Sequence, residues 1–339
     1  MFDVVTIGAA TRDVFLRSGA WEVREDATSP TGLEQCLPLG AKIEIAAPIF
    51  TTGGGAMNAA VTFAQLGGLR TATVCRVGDD AGAAEVRGAL QEHGVDTRLL
   101  QRDGKRSTAY AVILLSGTGQ RTILVHRGAS SAIAVRDIAW SHLRARWISL
   151  SSLGGDLALA RRVLRHAREH GIAVAWNPGS GELAAGTAKL LPLLRDVTVF
   201  NVNREEAMRL LSSPSTEHAE VTLARLCAAT NVGAIGDARY VLMTDGARGA
   251  YACVGGSTWF ASARKVKAVN TTGAGDAFGS GFTTGLALGW DAPTALRLGM
   301  TNAESVIQHM GAQRGILKKL PAKVTLAKYR IAQLAIPRP

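Results

Sequence analysis

The hydrophobic and polar positions of the chain form short apolar runs that alternate with longer amphipathic stretches. The apolar runs have the length of strands and predict them at residues 3–8, 71–77, 147–151, 172–176, 197–201 and 240–244. The stretches with helical periodicity predict helices at residues 58–66, 81–93, 157–170, 204–211, 277–288 and 292–309. Strands that alternate with helices of this length indicate βαβ units and a mostly parallel sheet.

Two stretches break this alternation. Residues 14–50 hold little helical periodicity, and residues 105–127 are typical of a hairpin, with β-rich runs on either side of the turn cluster Ser116-Gly117-Thr118-Gly119. We expect these segments to form a small accessory sheet that acts as a lid or an oligomer contact. An edge extension of the main sheet would explain the same pattern.

The predicted organisation is a single α/β unit with that small sheet inserted. The α/β domain takes residues 1–14, 52–104 and 128–320, the β lid takes 15–51 and 105–127, and a C-terminal tail takes 321–339.

Composition excludes several classes of protein. The 339 residues are 47% hydrophobic and 19% charged, which is enough apolar material to offset ordering entropy in one large domain. No apolar run approaches the roughly 18 residues of a membrane span. Residues 1–10 are already typical of a strand that contains Asp3, so we expect no signal peptide and a cytoplasmic protein.

The four cysteines, at positions 36, 75, 227 and 253, show no CxxC spacing and no neighbouring histidine cluster. A disulfide framework or a zinc site is therefore not expected. Scattered thiols are typical of a reducing compartment.

The net charge of +11 is spread along the chain and is locally dense only in the C-terminal tail. No interleaving of basic and aromatic residues of the kind that stacks bases occurs. A solvated basic surface is favoured over nucleic-acid binding.

The strongest chemical motif is VNTTGAGDAFGSG at residues 269–281. Its glycines permit a sharp turn, and the helix that follows adds unpaired N–H groups and the positive end of its dipole, which suits a phosphate. A carboxylate at Asp276 would repel phosphate, unless it orients a neutral hydroxyl and accepts its proton during attack on phosphorus. The alternative is that Asp276 is only a helix N-cap.

A second glycine-rich motif, TTGGGAMNAAVTFAQL, occupies residues 51–66. Its three consecutive glycines permit close backbone approach to a ligand, and Asn58 can hydrogen-bond a polyol. A strained turn before a helix is the alternative. The dinucleotide fingerprint GxGxxG and the GK[ST] of a Walker A loop are both missing, which argues against a nicotinamide oxidoreductase.

The third motif, NVNREE at residues 201–206, follows a predicted strand. An Asn-x-x-Glu at the carboxyl end of a strand can hold hydrated magnesium and a phosphate oxygen. A helix N-cap with acidic residues in the first turn explains the same residues. The fourth motif, TDGARG at residues 244–249, is a strand-end turn that carries little information alone.

Taken together, these motifs and Asp13 occur in the order seen in the ribokinase/PfkB carbohydrate kinase family, which the chain resembles over residues 3–316. The resemblance implies a three-layer α/β/α fold with a mostly parallel central sheet and a small β-sheet lid. It also implies ATP-dependent phosphorylation of a hydroxymethyl group on a small sugar, with magnesium as cofactor and a homodimer through the lid as an allowed assembly.

The resemblance assigns roles residue by residue. Asp276 would be the base, and the anion hole would be formed by Gly273, Ala274 and Gly275. The sugar hydroxyls would be held by Asp13, Gly54, Gly55 and Asn58. Asn203 would serve the phosphate and Glu206 would hold the magnesium through water, while Thr244, Gly246 and Asn302 would line the nucleotide site.

Three departures from the family pattern matter. Potassium-activated members usually carry aspartate where Asn270 stands, and an amide can ligate a monovalent cation but does not neutralise it, which argues against potassium activation. Ser151 and Ser152 stand near the position of a substrate-binding glutamate in ribokinases, and Gly55 stands in place of a lysine. These changes weaken the case for ribose without weakening the case for a kinase.

Two other functions stay open at this point. A nucleoside kinase would share the motifs, and Phe15, Trp21 and Phe50 in the lid segments could contact a base, although aromatic residues are only 5% of the chain. A sugar- or nucleotide-binding regulator without turnover would have lost the base or the glycines, and the chain keeps both.

Overall fold

The computed structural model describes residues 1–29, 32–116, 121–214, 216–230 and 239–335. Its strands are β1 (Phe2–Ile7), β2 (Thr11–Arg17), β3 (Glu22–Glu25), β4 (Leu33–Cys36), β5 (Ile49–Gly53), β6 (Thr71–Val74), β7 (Arg76–Val77), β8 (Gln101–Arg102), β9 (Ala109–Leu115), β10 (Arg121–His126), β11 (Ala145–Leu150), β12 (Ala173–Trp176), β13 (Val199–Asn203), β14 (Tyr240–Thr244), β15 (Gly249–Val254), β16 (Ser257–Ser262) and β17 (Ile331–Leu334). Its α-helices are α1 (Gly55–Gln65), α2 (Ala81–Glu92), α3 (Leu157–Glu169), α4 (Ser180–Ala184), α5 (Thr187–Leu194), α6 (Arg204–Leu211), α7 (Ala219–Ala229), α8 (Ala274–Ala287), α9 (Ala292–Ile307) and α10 (Lys323–Leu326).

The main sheet has the strand order β17-β16-β15-β14-β13-β12-β11-β1-β6. Neighbouring strands from β6 across to β14 pair in parallel, and β15, β16 and β17 extend the sheet with antiparallel pairing. The mostly parallel central sheet that the alternating pattern predicts is therefore confirmed.

Helices cover both faces of this sheet. Successive residues of a strand point to opposite faces, so the two faces have separate hydrophobic clusters. On β14, Val241 and Met243 join the hydrophobic cluster that contains residues of α3, α5 and α7. Leu242, between them, joins the cluster of α8 and α9 on the other face. The predicted three-layer α/β/α arrangement is confirmed.

A smaller sheet of order β10-β9-β2-β5 lies apart from the main sheet, together with the separate hairpin β3-β4. The predicted accessory sheet is thus a sheet of its own and not an edge extension. Residues 117–119 of the predicted turn cluster lie outside the described residues.

The structure also bears on where the segments of the chain belong. The predicted boundary between residues 14 and 15 falls inside β2, and residues 331–334 of the predicted tail form an edge strand of the main sheet. The extent of β2 and the pairing of β17 are both set by hydrogen bonds to other strands. A local sequence pattern does not indicate such bonds. As functional units the domain boundaries stay a prediction.

The loop at the carboxyl end of β11 is held by one buried carboxylate. Glu182 in α4 is fully buried and accepts hydrogen bonds from the backbone N–H groups of Leu153 and Gly155, each at 2.8 Å. It also accepts from the N–H of Gly179 at 2.7 Å and from the Ser152 hydroxyl at 3.2 Å. One side chain therefore satisfies polar groups of two neighbouring loops.

Among the helices of the described ranges, none combines the length and apolar character needed to cross a bilayer.

We expect Glu182→Ala to lower the free energy of unfolding by about 3 kcal/mol, because it leaves buried backbone donors without an acceptor. Urea unfolding followed by circular dichroism measures the change. The matched control is Glu169→Ala, at an exposed glutamate near the end of α3. A Glu182→Ala midpoint equal to that of the control would show that the four bonds contribute nothing net.

Candidate active site

Asp276 lies in the first turn of α8, but it does not cap the helix. The N-cap is Gly273, which has a φ of 81° and offers no side-chain capping bond. A Cβ built on Gly273 would lie 2.5 Å from the Ala312 Cβ, so both the backbone conformation and the available space favour glycine there. The alternative that Asp276 is only an N-cap is therefore wrong.

The Asp276 carboxylate is held by an amide from another helix. Oδ2 of Asp276 accepts a hydrogen bond of 2.8 Å from Nδ2 of Asn58 in α1. Burial raises the pKa of Asp276 above its usual value, and the Asn58 bond partly opposes that shift. The environment thus favours proton uptake by this carboxylate.

Asn58 is itself oriented by Gln313, which lies outside the sequence motifs, and Gln313 is held in turn by Thr52 of the glycine-rich motif. Nε2 of Gln313 donates to Oδ1 of Asn58 at 3.0 Å, and the Thr52 hydroxyl donates to Oε1 of Gln313 at 3.1 Å. Asn58 is 4% exposed and Gln313 is 8% exposed. This chain of bonds fixes which end of the Asn58 amide faces Asp276.

The glycines of the 53–55 segment make room for the carboxylates on either side. A Cβ on Gly53 would lie 2.2 Å from Oδ2 of Asp13, and one on Gly55 would lie 2.9 Å from the Ser151 Cβ and 3.5 Å from Oδ1 of Asp276. Gly54 has a φ of 95° and is the N-cap residue of α1. The segment therefore lies against both predicted acidic residues.

Asp13 is a buried residue of β2 whose Oδ1 accepts a hydrogen bond of 2.7 Å from the Thr11 hydroxyl. Burial raises the pKa of Asp13 to about 6, and the Thr11 bond opposes the shift. A carboxylate so poorly solvated in this sheet has a strong tendency to accept further hydrogen bonds.

Most of the predicted phosphate-side residues share one cavity of about 720 Å³. Its lining includes Asn203, Glu206, Thr244, Gly246, Gly273, Ala274, Gly275 and Asp276. A small cavity of about 30 Å³ is also lined by Asp276, together with Gly55, Ser151, Asn177 and Asn201, among others. Asp276 therefore lies where two spaces meet.

Asn203 and Glu206 form the capping box of α6. The Asn203 side chain accepts from the Glu206 N–H at 2.8 Å, and Oε2 of Glu206 accepts from the Asn203 N–H at 2.8 Å. Burial raises the pKa of Glu206, and the charge of Asp276 adds to the rise. The alternative that these residues cap a helix is therefore correct, and Glu206 also lines the 720 Å³ cavity.

Asn302 does not line either cavity, which corrects its predicted position in the nucleotide site. It is fully buried, donates from Nδ2 to the carbonyl of Ala277 at 2.9 Å, and accepts from the N–H of Leu317 at 3.1 Å. Its amide is occupied in joining α8, α9 and the segment after α9.

Arg121 reaches the phosphate-side cavity from β10 of the smaller sheet. Its guanidinium donates to the Thr271 hydroxyl at 2.6 Å, and its Nε is buried without a hydrogen-bond partner among the described residues. Burial lowers the pKa of Arg121. In the sequence Arg121 is a single arginine after a turn. Its position beside the cavity depends on contacts with residues far along the chain, which no local motif indicates.

Comparison with known proteins gives one consistent result. The model of the pfkB family of carbohydrate kinases matches residues 34–319. The chain is 27% identical to a ribokinase of Schizosaccharomyces pombe, over 93% of the chain and 95% of that protein. It is 29% identical to an aminoimidazole riboside kinase of Salmonella typhimurium, over 79% of the chain and 84% of that protein.

The fold has a similar counterpart among solved structures. The ribokinase of Arabidopsis thaliana, complexed with ribose and ATP, superimposes with a TM-score of 0.74 at 21% identity, covering 96% of this chain and 98% of that one. At this level of identity the likeness concerns the fold.

We expect Asn58→Ala to raise the pKa of Asp276 further, since the hydrogen bond that favours the charged carboxylate is lost. Carbon-detected NMR titration of ¹³C-labelled aspartate carboxyls measures it, with Gln308→Ala as a control at a surface amide of the same domain. A pKa of Asp276 that stays constant or falls would contradict the geometry of this pair.

Proposed function

The chain belongs to the pfkB family of carbohydrate kinases and is an ATP-dependent carbohydrate kinase, and from that premise we propose that it transfers the γ-phosphoryl group of ATP to a hydroxymethyl hydroxyl of a small sugar. Asp276 carries the proposal. Its carboxylate lines both the small cavity beside Gly55 and Ser151 and the larger cavity beside Gly273 and Gly275.

Asp276 is the base in this proposal. It accepts the proton of the sugar hydroxyl as that oxygen attacks the γ-phosphorus, the bond from phosphorus to the β–γ bridging oxygen breaks, and ADP leaves. The raised pKa of Asp276 supports the role, because a base with a pKa nearer the working pH accepts a proton more readily.

The anion hole is the turn Gly273-Ala274-Gly275 at the start of α8. The N–H groups in the first turn of a helix have no acceptor within the helix, and the helix dipole adds positive potential there. This helix runs for 14 residues and its first turn lines the larger cavity, which supports binding of the transferred phosphoryl group.

Arg121 adds a positive charge to the same space. Its buried Nε and its bond to Thr271, beside the glycine turn, support a contact with a phosphate oxygen. Because Arg121 and Asp13 both belong to the smaller sheet, we propose that this sheet acts as a lid that brings donor and acceptor groups together and excludes water.

The magnesium site fits a hydrated ion. Glu206 and Asn203 supply hard oxygen atoms beside the phosphate-side cavity, and the described residues contain no cluster of three or more metal-ligating side chains. Magnesium usually keeps several waters and few carboxylate ligands next to phosphates. When bound, it would neutralise developing negative charge on the phosphates.

Asn270 fits a monovalent cation poorly. Its Oδ1 already accepts the Thr272 N–H at 3.0 Å, and the atom left buried without a described partner is the donor Nδ2. A cation needs an oxygen at that position. We therefore propose that turnover does not require potassium.

The acceptor is held by Asp13, Gly54, Gly55 and Asn58 in this proposal. Buried Asp13 supplies a hydrogen-bond acceptor for sugar hydroxyls, and the glycines allow the backbone to approach the ligand closely. Ser151 lines the small cavity near the position at which ribokinases carry a substrate-binding glutamate. Because this carboxylate is replaced by a hydroxyl, we propose that the acceptor can be a sugar other than ribose.

The smaller sheet also supports the predicted homodimer. Its exposed apolar side chains include Phe50, Ile123, Leu124 and Val125. Exposed apolar clusters of this kind are typical of association surfaces.

A nucleoside acceptor is the alternative, favoured by the 29% identity to the aminoimidazole riboside kinase. The decisive experiment measures ADP release with a panel of pentoses, hexoses and nucleosides. We expect turnover with a free sugar. Turnover with nucleosides alone would select the alternative, and no turnover with any acceptor would contradict the kinase proposal.

We expect Asp276→Asn to lower kcat by about 10²-fold or more, while ATP binding survives, because an amide cannot accept the hydroxyl proton. Steady-state kinetics and calorimetry with ATP measure the two effects. Asp291→Asn is the matched control, since this residue caps α9 and asparagine caps equally well. An unchanged kcat for Asp276→Asn would refute the base assignment.

We expect the KM for the sugar to rise as the pH falls through about 6, the value to which burial raises the pKa of Asp13. Protonation removes the negative charge and turns one of the two acceptor oxygens into a donor, so below that pH the KM should rise about tenfold per pH unit. The test is a pH series at saturating ATP. Asp13→Asn should have a higher KM with no such pH dependence, and a wild-type KM that is flat from pH 7 to 5 would exclude Asp13 from sugar binding.

A further inference from the structure

Three residues line both the small cavity of about 30 Å³ and the phosphate-side cavity, namely Asn177, Asn201 and Asp276. Asn177 follows β12, and Asn201 lies in β13, the next strand of the main sheet. Nδ2 of Asn177 donates to the backbone carbonyl of Asn201 at 2.7 Å, which leaves the Asn177 side-chain oxygen as an acceptor. Two amides therefore lie beside the proposed base, and neither has a part in the proposed phosphoryl transfer.

The Asn201 side chain is buried with its hydrogen-bonding capacity unused. The residue is 6% exposed, and its Oδ1 has no hydrogen-bond partner among the described residues. Its Nδ2 lies against α8, where a Cβ built on Gly279 would be only 2.4 Å away. Buried polar groups in folded proteins are almost always satisfied, either by protein groups or by ordered water. Rotation of the amide turns either its oxygen or its N–H group toward such a water.

The space beside Asn201 has the size of a water molecule. The small cavity measures about 30 Å³, because small residues surround it, among them Ala59 in α1, Ser149 in β11 and Ala175 in β12. One water needs at least about 10–15 Å³ of such space, provided that it finds two to four polar partners. Pockets for small organic ligands begin at about 300 Å³. The size of the cavity therefore selects water and excludes a sugar ring.

The Asp276 carboxylate supplies a further partner for this water. Its Oδ2 accepts the hydrogen bond from Asn58. Its Oδ1 lies on the side of Gly55 and Ser151, since a Cβ built on Gly55 would be 3.5 Å from that oxygen and 2.9 Å from the Ser151 Cβ. Gly55 and Ser151 both line the small cavity. Oδ1 of Asp276 can therefore accept a hydrogen bond from a water in that cavity.

We propose that the small cavity is a binding site for an ordered water molecule, which hydrogen-bonds the Asn201 amide and donates to Oδ1 of Asp276. The water site stands on the cavity alone, whereas its effect on turnover rests on the proposed function, in which Asp276 is the base. A donor to an ionised carboxylate favours the charged form, so the water helps to keep Asp276 able to accept a proton in spite of its burial.

Other charged groups near Asp276 stay the same in the variants below. Within the described ranges, Asp276 is the one charged residue that lines the small cavity. The phosphate-side cavity adds Arg121, Arg204, Glu205, Glu206 and Asp245. A change at Asn201 therefore alters the amide and the water without altering the charges around the carboxylate.

Two replacements of Asn201 separate the water from the amide. Asn201→Leu and Asn201→Ala both remove the amide, but leucine fills the cavity whereas alanine enlarges it and leaves room for water. We expect the pKa of Asp276, followed by carbon-detected NMR, to rise by about 1 in Asn201→Leu, because the carboxylate loses a donor. The rise in Asn201→Ala should be less than half as large. Gln333→Leu, at an exposed amide of β17, is the matched control and should leave this pKa unchanged.

Crystal structures at a resolution that orders water give a direct second readout. We expect density for a water within hydrogen-bond distance of the Asn201 amide and of Oδ1 of Asp276 in the wild type. Water should also occupy the cavity of Asn201→Ala and should be missing from that of Asn201→Leu. If Asn201→Leu fails to fold, Ser149→Val decides the question by the same two measurements, because it takes up space in the cavity and keeps both amides.

The outcomes distinguish this inference from the proposed function. A wild-type structure with no water between Asn201 and Asp276 overturns the inference alone. An equal pKa of Asp276 in the leucine and alanine variants overturns the effect of the water on the base. A water at this position, in a protein that phosphorylates no acceptor, keeps the water site and overturns the proposed function.

Discussion

The hydrogen bond between Asn58 and Asp276 joins the first turns of two helices that come from opposite ends of the chain. A buried carboxylate is costly unless a hydrogen bond holds it or protonation removes its charge. Here the amide holds it, and burial favours its protonated form. Gln313 donates to the same Asn58 amide, so the segment after α9 is linked to this pair as well.

Close packing of α8 and α9 determines where the cavity beside the start of α8 lies. A Cβ on Gly281 would lie 3.1 Å from the Gly299 Cα, and one on Gly299 would lie 2.7 Å from the carbonyl of Phe278. Small residues therefore let α8 and α9 approach closely. This approach puts the face of α9 that carries Met300 and Glu304 along this cavity.

Local signals account for most of what the sequence predicted correctly. The helix at residues 204–211 has its predicted bounds because its start is set by a capping box within four residues, and β14 matches its apolar run. The antiparallel strands β15, β16 and β17 were not predicted, since pairing at the sheet edge is decided by partners elsewhere in the chain. The parallel core, by contrast, follows from the alternation alone.

Sequence motifs identified residues of the candidate site that lie within one turn of each other, and they missed contacts between distant residues. The glycine turn and Asp276 are contiguous, whereas the Gln313–Asn58 bond spans 255 residues and the Arg121–Thr271 bond spans 150. Asn302 was placed in the nucleotide site by analogy, but its amide is consumed by backbone groups of α8 and the segment after α9. The identity of a residue alone does not show that its side chain is already hydrogen-bonded to the backbone.

The close approach of Gly53 to Asp13 has a consequence for how this part of the candidate site can diverge. The space that any side chain at position 53 would need is already filled by the Asp13 carboxylate. A shorter residue at position 13 would vacate that space, and only then would position 53 tolerate alanine or serine. Divergence at this corner of the candidate site therefore favours paired replacement, with position 13 changing first.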